Sequence, residues 1–306
     1  MTDRWTGVFP AVTTKFKDDF SLDYDEMERH FNFQIDSGVR GMVVTGTLGE
    51  NGSLSADEKQ EVLKIAVSVS NGRVPVLAGV AENTTAAACR VVETSSQNGA
   101  NGIMLLPAML YAADRRETLT HFRTVARVSD LPIMIYNNPI AYKVDVTPEM
   151  FAELANEPTL VALKESSDDV RRITDIYNEV GDRYQVFTGV DNLALESLLL
   201  GAVGWVAGLV TAFPKETVAI YDLVQAGRVE EARTIYRWFM PLLHLDVSTK
   251  LVQNIKLAEF VEGVGTETVR PPRLPLDGEE RSRVIAVVEK AIATRPDLAV
   301  AEISAG

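Results

Sequence analysis

A (β/α)8 barrel of the TIM type, followed by a C-terminal extension of about three helices, is the α/β fold this sequence predicts. Three observations lead to it. Short β-branched runs recur eight times, stretches with helical spacing of apolar residues lie between them, and beyond residue 214 the chain turns entirely helical.

The runs are GVFPAVT (7–13), GMVVTG (41–46), VPVLAGV (74–80), NGIMLLP (101–107), LPIMIYN (131–137), LVALKES (160–166), YQVFTGV (184–190) and GWVAGLV (204–210). Each is apolar without alternation, as a strand buried on both faces must be, so the sheet is predicted to be parallel and covered outside by helices. Eight such units suit a closed barrel better than an open sheet. Between the first two runs Met27, Phe31 and Ile35 fall on one helical face, and Val62, Ile65, Ala66 and Val69 do so between the second and third. Start signals agree: Ser55-Ala56-Asp57-Glu58 fits a capping box, and Thr147-Pro148 puts proline at a first helical position. The helical remainder reads as segments near 215–226, 229–243, 250–262 and 279–293, of which the first is the eighth barrel helix. VRPPRLPL (269–276) is an extended linker before the last. The expected division is a barrel over 1–226 and an extension over 227–306.

The chain has 306 residues, 46% hydrophobic and 24% charged, so one large core is within reach. Thirty basic against 43 acidic side chains give a net charge of −13 with no basic run, which argues against nucleic acid and anionic membrane as partners. The first residues, MTDRWTGVFP, lack the pattern of a signal peptide, and no apolar run approaches the roughly 20 residues that span a bilayer, so a cytoplasmic protein is expected. Cys89 reads as a small helix-face residue. His30, His121 and His244 lie far apart on different helices, so no metal site is expected.

In a barrel, function belongs where strands end and loops begin. In the sixth run four apolar residues, 160–163, end in Lys164, ordinarily a snorkelling position but here at the mouth. The second run leads into TGTLGENGS (45–53), in which Gly46, Gly49 and Gly52 would let the backbone take positive φ. Consecutive N–H groups, with the Thr47 hydroxyl, would then hold a carboxylate; a plain glycine-rich turn before a capped helix is the alternative. The fifth run ends with Tyr136, whose phenol can pass protons or serve structure. The seventh offers Gly189 and Asp191 at the rim, Asp191 equally fitting the N-cap of the next helix, and Asp168 and Asp169 read as caps of the sixth. A lysine in an apolar mouth loses its proton readily, and its amine then attacks a carbonyl or imine carbon; such imine chemistry needs no metal or organic cofactor.

At this point GTLGE (46–50), YNNP (136–139) and KESS (164–167), in that order, resemble the dihydrodipicolinate synthase and N-acetylneuraminate lyase family of class I lyases and aldolases, over Thr6 to about Ala293. The resemblance implies Lys164 as the Schiff-base lysine and Tyr136 as proton relay. It implies that Thr47 and the Gly46, Leu48 and Gly49 backbone receive the carboxylate of a small substrate, with Gly189 and Asp191 lining the site, and that the assembly is a homotetramer, a dimer of dimers. Two departures matter. Thr47-Leu48 replaces the two adjacent threonines of the dihydrodipicolinate synthases, and Ala141 stands where they carry an arginine for a second carboxylate. YNNPIAYKVDVTP, ALKESSDDVRR, GAVGWVAG and YRWFMPLLHLD are most similar to the family branch of hydroxyproline breakdown. That branch deaminates Δ1-pyrroline-4-hydroxy-2-carboxylate to 2-oxoglutarate semialdehyde and ammonia. The alternatives within the family are aldol cleavage or dehydration of a 2-keto-3-deoxy sugar acid and dihydrodipicolinate synthesis. A non-catalytic ligand-binding barrel is the alternative outside enzymes.

Overall fold

The computed structural model describes residues 5–108 and 110–298. Its eight strands are β1 (Gly7–Pro10), β2 (Met42–Val44), β3 (Val76–Val80), β4 (Gly102–Leu105), β5 (Ile133–Asn137), β6 (Leu160–Glu165), β7 (Gln185–Thr188) and β8 (Gly204–Ala207), each inside one of the eight apolar runs. All pair in parallel, β1 with β8 and each other strand with its sequence neighbours. The remaining seam closes just past β1, where Ala11 bridges Val43 in parallel and Val12 N–H donates to Val43 O at 3.0 Å. The result is a barrel, as the strand count predicts.

Helices follow every strand: α1 (Tyr24–Asp36), α2 (Ala56–Ser70), α3 (Thr85–Gln97), α4 (Arg115–Val128), the short α5 (Pro139–Tyr142) with α6 (Pro148–Leu154), then α7 (Arg171–Val180), α8 (Ala194–Leu199) and α9 (Pro214–Gln225). Three more complete the described chain: α10 (Val229–Leu243), α11 (Leu251–Glu262) and α12 (Gly278–Ala293). The expected capping box forms at α2, where Ser55 and Glu58 exchange side-chain and backbone hydrogen bonds, and Pro148 sits in the first turn of α6. At α7 the expectation is only half met. Asp169 accepts from the Arg171 N–H at 3.0 Å, but Val170 is the N-cap and Asp168 instead takes a left-handed φ of 61°. No helix among the described residues is long and apolar enough to cross a membrane.

The three added helices do not form a separate core. One apolar cluster runs from the barrel interior, with Phe9, Met134 and Phe187, into Leu223, Phe239, Leu257 and Val288 of α9 to α12. The extension is also held by charge. Lys256 and Glu259 lie three apart on α11 and so share a face. Lys256 Nζ donates to Glu50 Oε1 (2.5 Å) and to Thr268 O (2.7 Å), and Glu50 Oε2 accepts from the Arg270 N–H (3.1 Å). Glu259 accepts from Lys15 Nζ (2.5 Å) and from the Thr13 hydroxyl (2.8 Å). Both ion pairs are fully buried, and they join α11 to the loops that leave β1 and β2 at the barrel mouth.

Removing one partner of a buried pair strands the other charge, which typically costs about 3–5 kcal/mol. Lys256→Met should therefore lower the unfolding free energy measured in urea by that amount, and K256M/E50Q should recover most of it. A K256M unfolding free energy within about 1 kcal/mol of wild type would mean that the pair does not hold the extension.

Candidate active site

Parallel pairing sets Tyr136 of β5 directly beside Lys164 of β6, so the two side chains leave the sheet on the same face. Lys164 is 6% exposed, and its Nζ stands 4.1 Å from the centroid of the Tyr136 ring. Burial draws the lysine below its ordinary value, against the opposing influence of Tyr142, Asp246 and Asp191. Burial likewise raises the Tyr136 phenol, so it is a protonated hydroxyl near neutral pH. Gly189 makes the lysine's position possible: a Cβ there would lie 2.4 Å from Lys164 Cε and 2.2 Å from Ser166 Oγ.

The loop after β2 differs from expectation in its backbone. The left-handed residues are Thr45 (φ 54°) and Glu50 (φ 57°), not Gly46, Gly49 or Gly52. A β-branched residue in this region costs of order 1–3 kcal/mol and persists only where its surroundings enforce it. Asn51 Nδ2 donates to Thr45 O at 2.8 Å and the Thr45 hydroxyl to Gly79 O at 3.2 Å, while the Lys256 ion pair holds Glu50. Gly49 serves close packing, since a Cβ would stand 3.0 Å from Thr45 N and 3.1 Å from Val12 O. Among the described residues the N–H groups of Gly46, Thr47, Leu48 and Gly49 donate to no protein acceptor. Four adjacent amides of this kind, three of them on buried residues, are available to receive an anion.

A second phenol joins them. Tyr142, at the end of α5, shares a hydrogen bond of 2.6 Å with the Thr47 hydroxyl, and its ring meets the Tyr136 ring edge to face at 5.5 Å. Asn138 organises this turn, its carbonyl oxygen accepting from Ala141 N–H (2.9 Å) and its amide donating to the Tyr136 hydroxyl (3.1 Å). The neighbouring Asn137 donates to Glu165 Oε2 at 3.0 Å and so ties the end of β5 to that of β6.

Asp191 is fully buried and caps a neighbouring turn rather than its own. It accepts from Trp205 Nε1 (2.9 Å), Leu209 N–H (2.8 Å) and Gly208 N–H (3.2 Å), which joins the ends of β7 and β8. The sequence places Tyr142 near the rim without a role, and it does not single out Asp246. Asp246 follows α10 and rests on Gly208, where a Cβ would come within 2.3 Å of its Oδ1. The periodicity that defines helices says nothing of a loop that folds back over a mouth; the only signal for Tyr142 was a tyrosine three residues past a strand-end proline.

The histidines are occupied elsewhere. His30 Nε2 bonds Thr211 O at 3.0 Å, His121 Nε2 bonds Leu106 O at 3.2 Å, and His244 meets Asn192. Among the described residues no group of three or more His, Cys, Asp and Glu side chains is arranged to hold a metal ion. Burial raises the Cys89 thiol, which disfavours the reactive thiolate.

Residues 4–291 match the model of the dihydrodipicolinate synthetase family. The 4-hydroxy-tetrahydrodipicolinate synthase of Methanothrix thermoacetophila is 32% identical over 285 residues, spanning 93% of this chain and 96% of its own. That of Macrococcus caseolyticus is 30% identical over 97% of this chain and 100% of its own. Among solved structures, dihydrodipicolinate synthase from Aquifex aeolicus superposes with a TM-score of 0.88 at 29% identity, covering 94% and 98% of the two chains. A structure described as the first monomeric dihydrodipicolinate synthase variant gives 0.88 at 26% identity, covering 94% and 97%.

A buried amine beside a phenol should form a covalent imine below the pH at which ordinary lysines do. Incubation with pyruvate followed by borohydride should leave a stable mass increment on Lys164. Its rate should level off at a pH below the lysine value of about 10.4. Peptide mapping checks both points: an adduct on Lys143, Lys215 or Lys256, or a rate still climbing past pH 10, contradicts the expectation.

Proposed function

Because the chain belongs to the dihydrodipicolinate synthetase family, a class of lysine-imine lyases, we propose that it is a Schiff-base deaminase. Its substrate is Δ1-pyrroline-4-hydroxy-2-carboxylate and its products are 2-oxoglutarate semialdehyde and ammonia. The observation that carries this reading is a site with provision for one carboxylate. The Gly46 to Gly49 amides and the Thr47 hydroxyl can receive it beside Lys164. Ala141 stands where a condensing synthase carries an arginine, and Lys143 turns its ammonium back onto Ile140 O at 2.8 Å. Leu48, buried where the synthases have a second threonine, supports the same conclusion.

The reaction follows from these groups. The Lys164 amine adds to C2 of the cyclic imine, and the ring C–N bond breaks to leave a lysine imine with a hydroxyl at C4 and an amine at C5. The C3 proton leaves by way of Tyr136, which passes its own hydroxyl proton on along Tyr142 and Thr47 as it receives the one from C3. The enamine so formed expels the C4 hydroxyl as water. Tautomerisation places an imine at C5, one water hydrolyses it to aldehyde and ammonia, and a second frees Lys164. Two waters are consumed and one is released, so the net change is addition of one water and loss of ammonia. Covalent attachment turns one difficult deamination into a series of ordinary imine steps. The active species is a homotetramer, a dimer of dimers. The relative described as a monomeric variant indicates that the fold alone does not dictate assembly, and sedimentation of the purified chain decides the point.

Coupled ammonia detection tests the chemistry. One ammonia should appear per hydroxypyrroline carboxylate consumed, undiminished by chelators, while the analogue lacking the 4-hydroxyl forms the lysine imine but releases none. Equal release from both compounds would refute elimination. Pyruvate consumption with an acidic aldehyde in place of ammonia release would make the protein a synthase, like the relatives it resembles. Tyr136→Phe should slow turnover by roughly 10²- to 10⁴-fold with substrate binding nearly unchanged; a loss under tenfold would make Tyr136 structural.

A further inference from the structure

Asp246 has no part in the chemistry as laid out above, yet the fold holds it at the mouth with care. Its loop is fixed by α11, whose Asn254 amide donates to Leu245 O at 2.9 Å and to Ser248 Oγ at 3.0 Å. The Asp246 carboxyl rests on Gly208, the residue after β8, with Ile255 of α11 against the same glycine; any side chain at 208 would displace it. The Gly208 N–H meanwhile donates to Asp191, so two carboxyls meet at one glycine. They are not equivalent. Asp191 accepts from Trp205, Gly208 and Leu209, whereas among the described residues no donor reaches the carboxyl of Asp246.

The titratable groups that bear on Asp246 are Asp191 at the end of β7, Lys164 on β6 and Tyr136 on β5. Burial, and then the Asp191 charge, hold the Asp246 carboxyl well above the usual carboxylate range, with Lys164 pulling the other way. Of two neighbouring carboxyls, the one that receives hydrogen bonds keeps the charge and the one that receives none keeps the proton. Asp246, without a donor and meeting the hydrogen-bonded Asp191 at Gly208, is thus the carboxyl suited to hold a proton, and it is brought there by the C-terminal extension. Hydroxide is a poor leaving group, and the relay hydroxyls of Tyr136, Thr47 and Tyr142 come from other elements, β5, α5 and the loop after β2.

We propose that Asp246 is a catalytic acid that donates its proton to the C4 hydroxyl of the ring-opened, Lys164-bound substrate as that hydroxyl departs; this rests on the deaminase reading. As the C4–O bond breaks, its oxygen takes the Asp246 proton and leaves as water. The C2–C3 double bond of the enamine moves to C3–C4, and the Lys164 nitrogen lone pair restores the imine at C2. Asp246, now a carboxylate, takes the proton that C5 loses on tautomerisation and so regains its acid form.

The test uses the full chain and Asp246→Asn. Wild type and variant are incubated with hydroxypyrroline carboxylate, followed for ammonia, and quenched with borohydride for mass analysis of Lys164. The variant should release ammonia at least 100-fold more slowly and accumulate a Lys164 adduct that still carries both hydroxyl and amine. Wild-type kcat should fall as pH rises through the titration of Asp246, a limb absent from the variant. Trapping with pyruvate at a rate within about threefold of wild type shows that the variant is folded and Lys164 intact. Ammonia release within tenfold of wild type overturns the proposal while leaving the deaminase reading in place. Loss of the pyruvate adduct in both Asp246→Asn and Asp246→Ser overturns it as well, because Asp246 then supports Lys164 rather than the leaving group. No ammonia from wild type sinks the deaminase reading and the proposal together, a pattern distinct from the other two.

Discussion

A primary amine is a nucleophile only after losing its proton, and near neutral pH a lysine does so only where water is kept from the ammonium. The rest of this architecture depends on that requirement at Lys164. The apolar inner face of the barrel, the Tyr136 ring beneath Nζ, and the missing side chain at Gly189 together seat the lysine where desolvation works on it. An ammonium stripped of water without compensation would cost several kcal/mol. The fully buried Asp191 offsets part of that cost without neutralising the effect, since the net shift remains downward.

The C-terminal extension completes the same environment. Two buried ion pairs bind α11 to the first two strand-end loops, and one of them ends on Glu50, the last residue of GTLGE. That glutamate therefore acts at a distance from the chemistry. It holds the left-handed end of the loop whose amides at residues 46–49 donate to no acceptor among the described residues. The same helix fixes the loop that carries Asp246. Helix α11 thus bears both on the loop after β2, through Lys256, and on the loop that carries Asp246, through Asn254.

Much of this was legible in the sequence because it rests on local patterns. Each of the eight runs contains a strand, since both-sided burial writes itself as unbroken apolar residues. Helix starts at Ser55 and Pro148 follow from capping chemistry that a few residues determine. Lys164 and Tyr136 could be placed at one rim because each directly follows the apolar residues of its run. What escaped depends on contacts between distant elements. Thr45 and Glu50 adopt positive φ because Asn51 and Lys256 hold them there, so the three glycines misled. Asp191 caps a turn 18 residues on, through its bond to Leu209. Asp246 reaches the mouth only because α10 and α11 fold back over β8, and its partner Gly208 shows nothing in the sequence beyond being a glycine.

In the proposed reaction one carboxylate-bearing cyclic imine is opened on Lys164, with its acid group on the second-strand loop and its hydroxyl toward the extension. A crystal structure of the protein reduced with borohydride during incubation with Δ1-pyrroline-4-hydroxy-2-carboxylate tests this most directly. The account predicts continuous density from Lys164 Nζ to C2, the substrate carboxylate on the Gly46 to Gly49 amides, and C4 within hydrogen-bonding reach of Asp246 through its oxygen. A carboxylate bound elsewhere, or a C4 directed away from Asp246 toward bulk solvent, would contradict it.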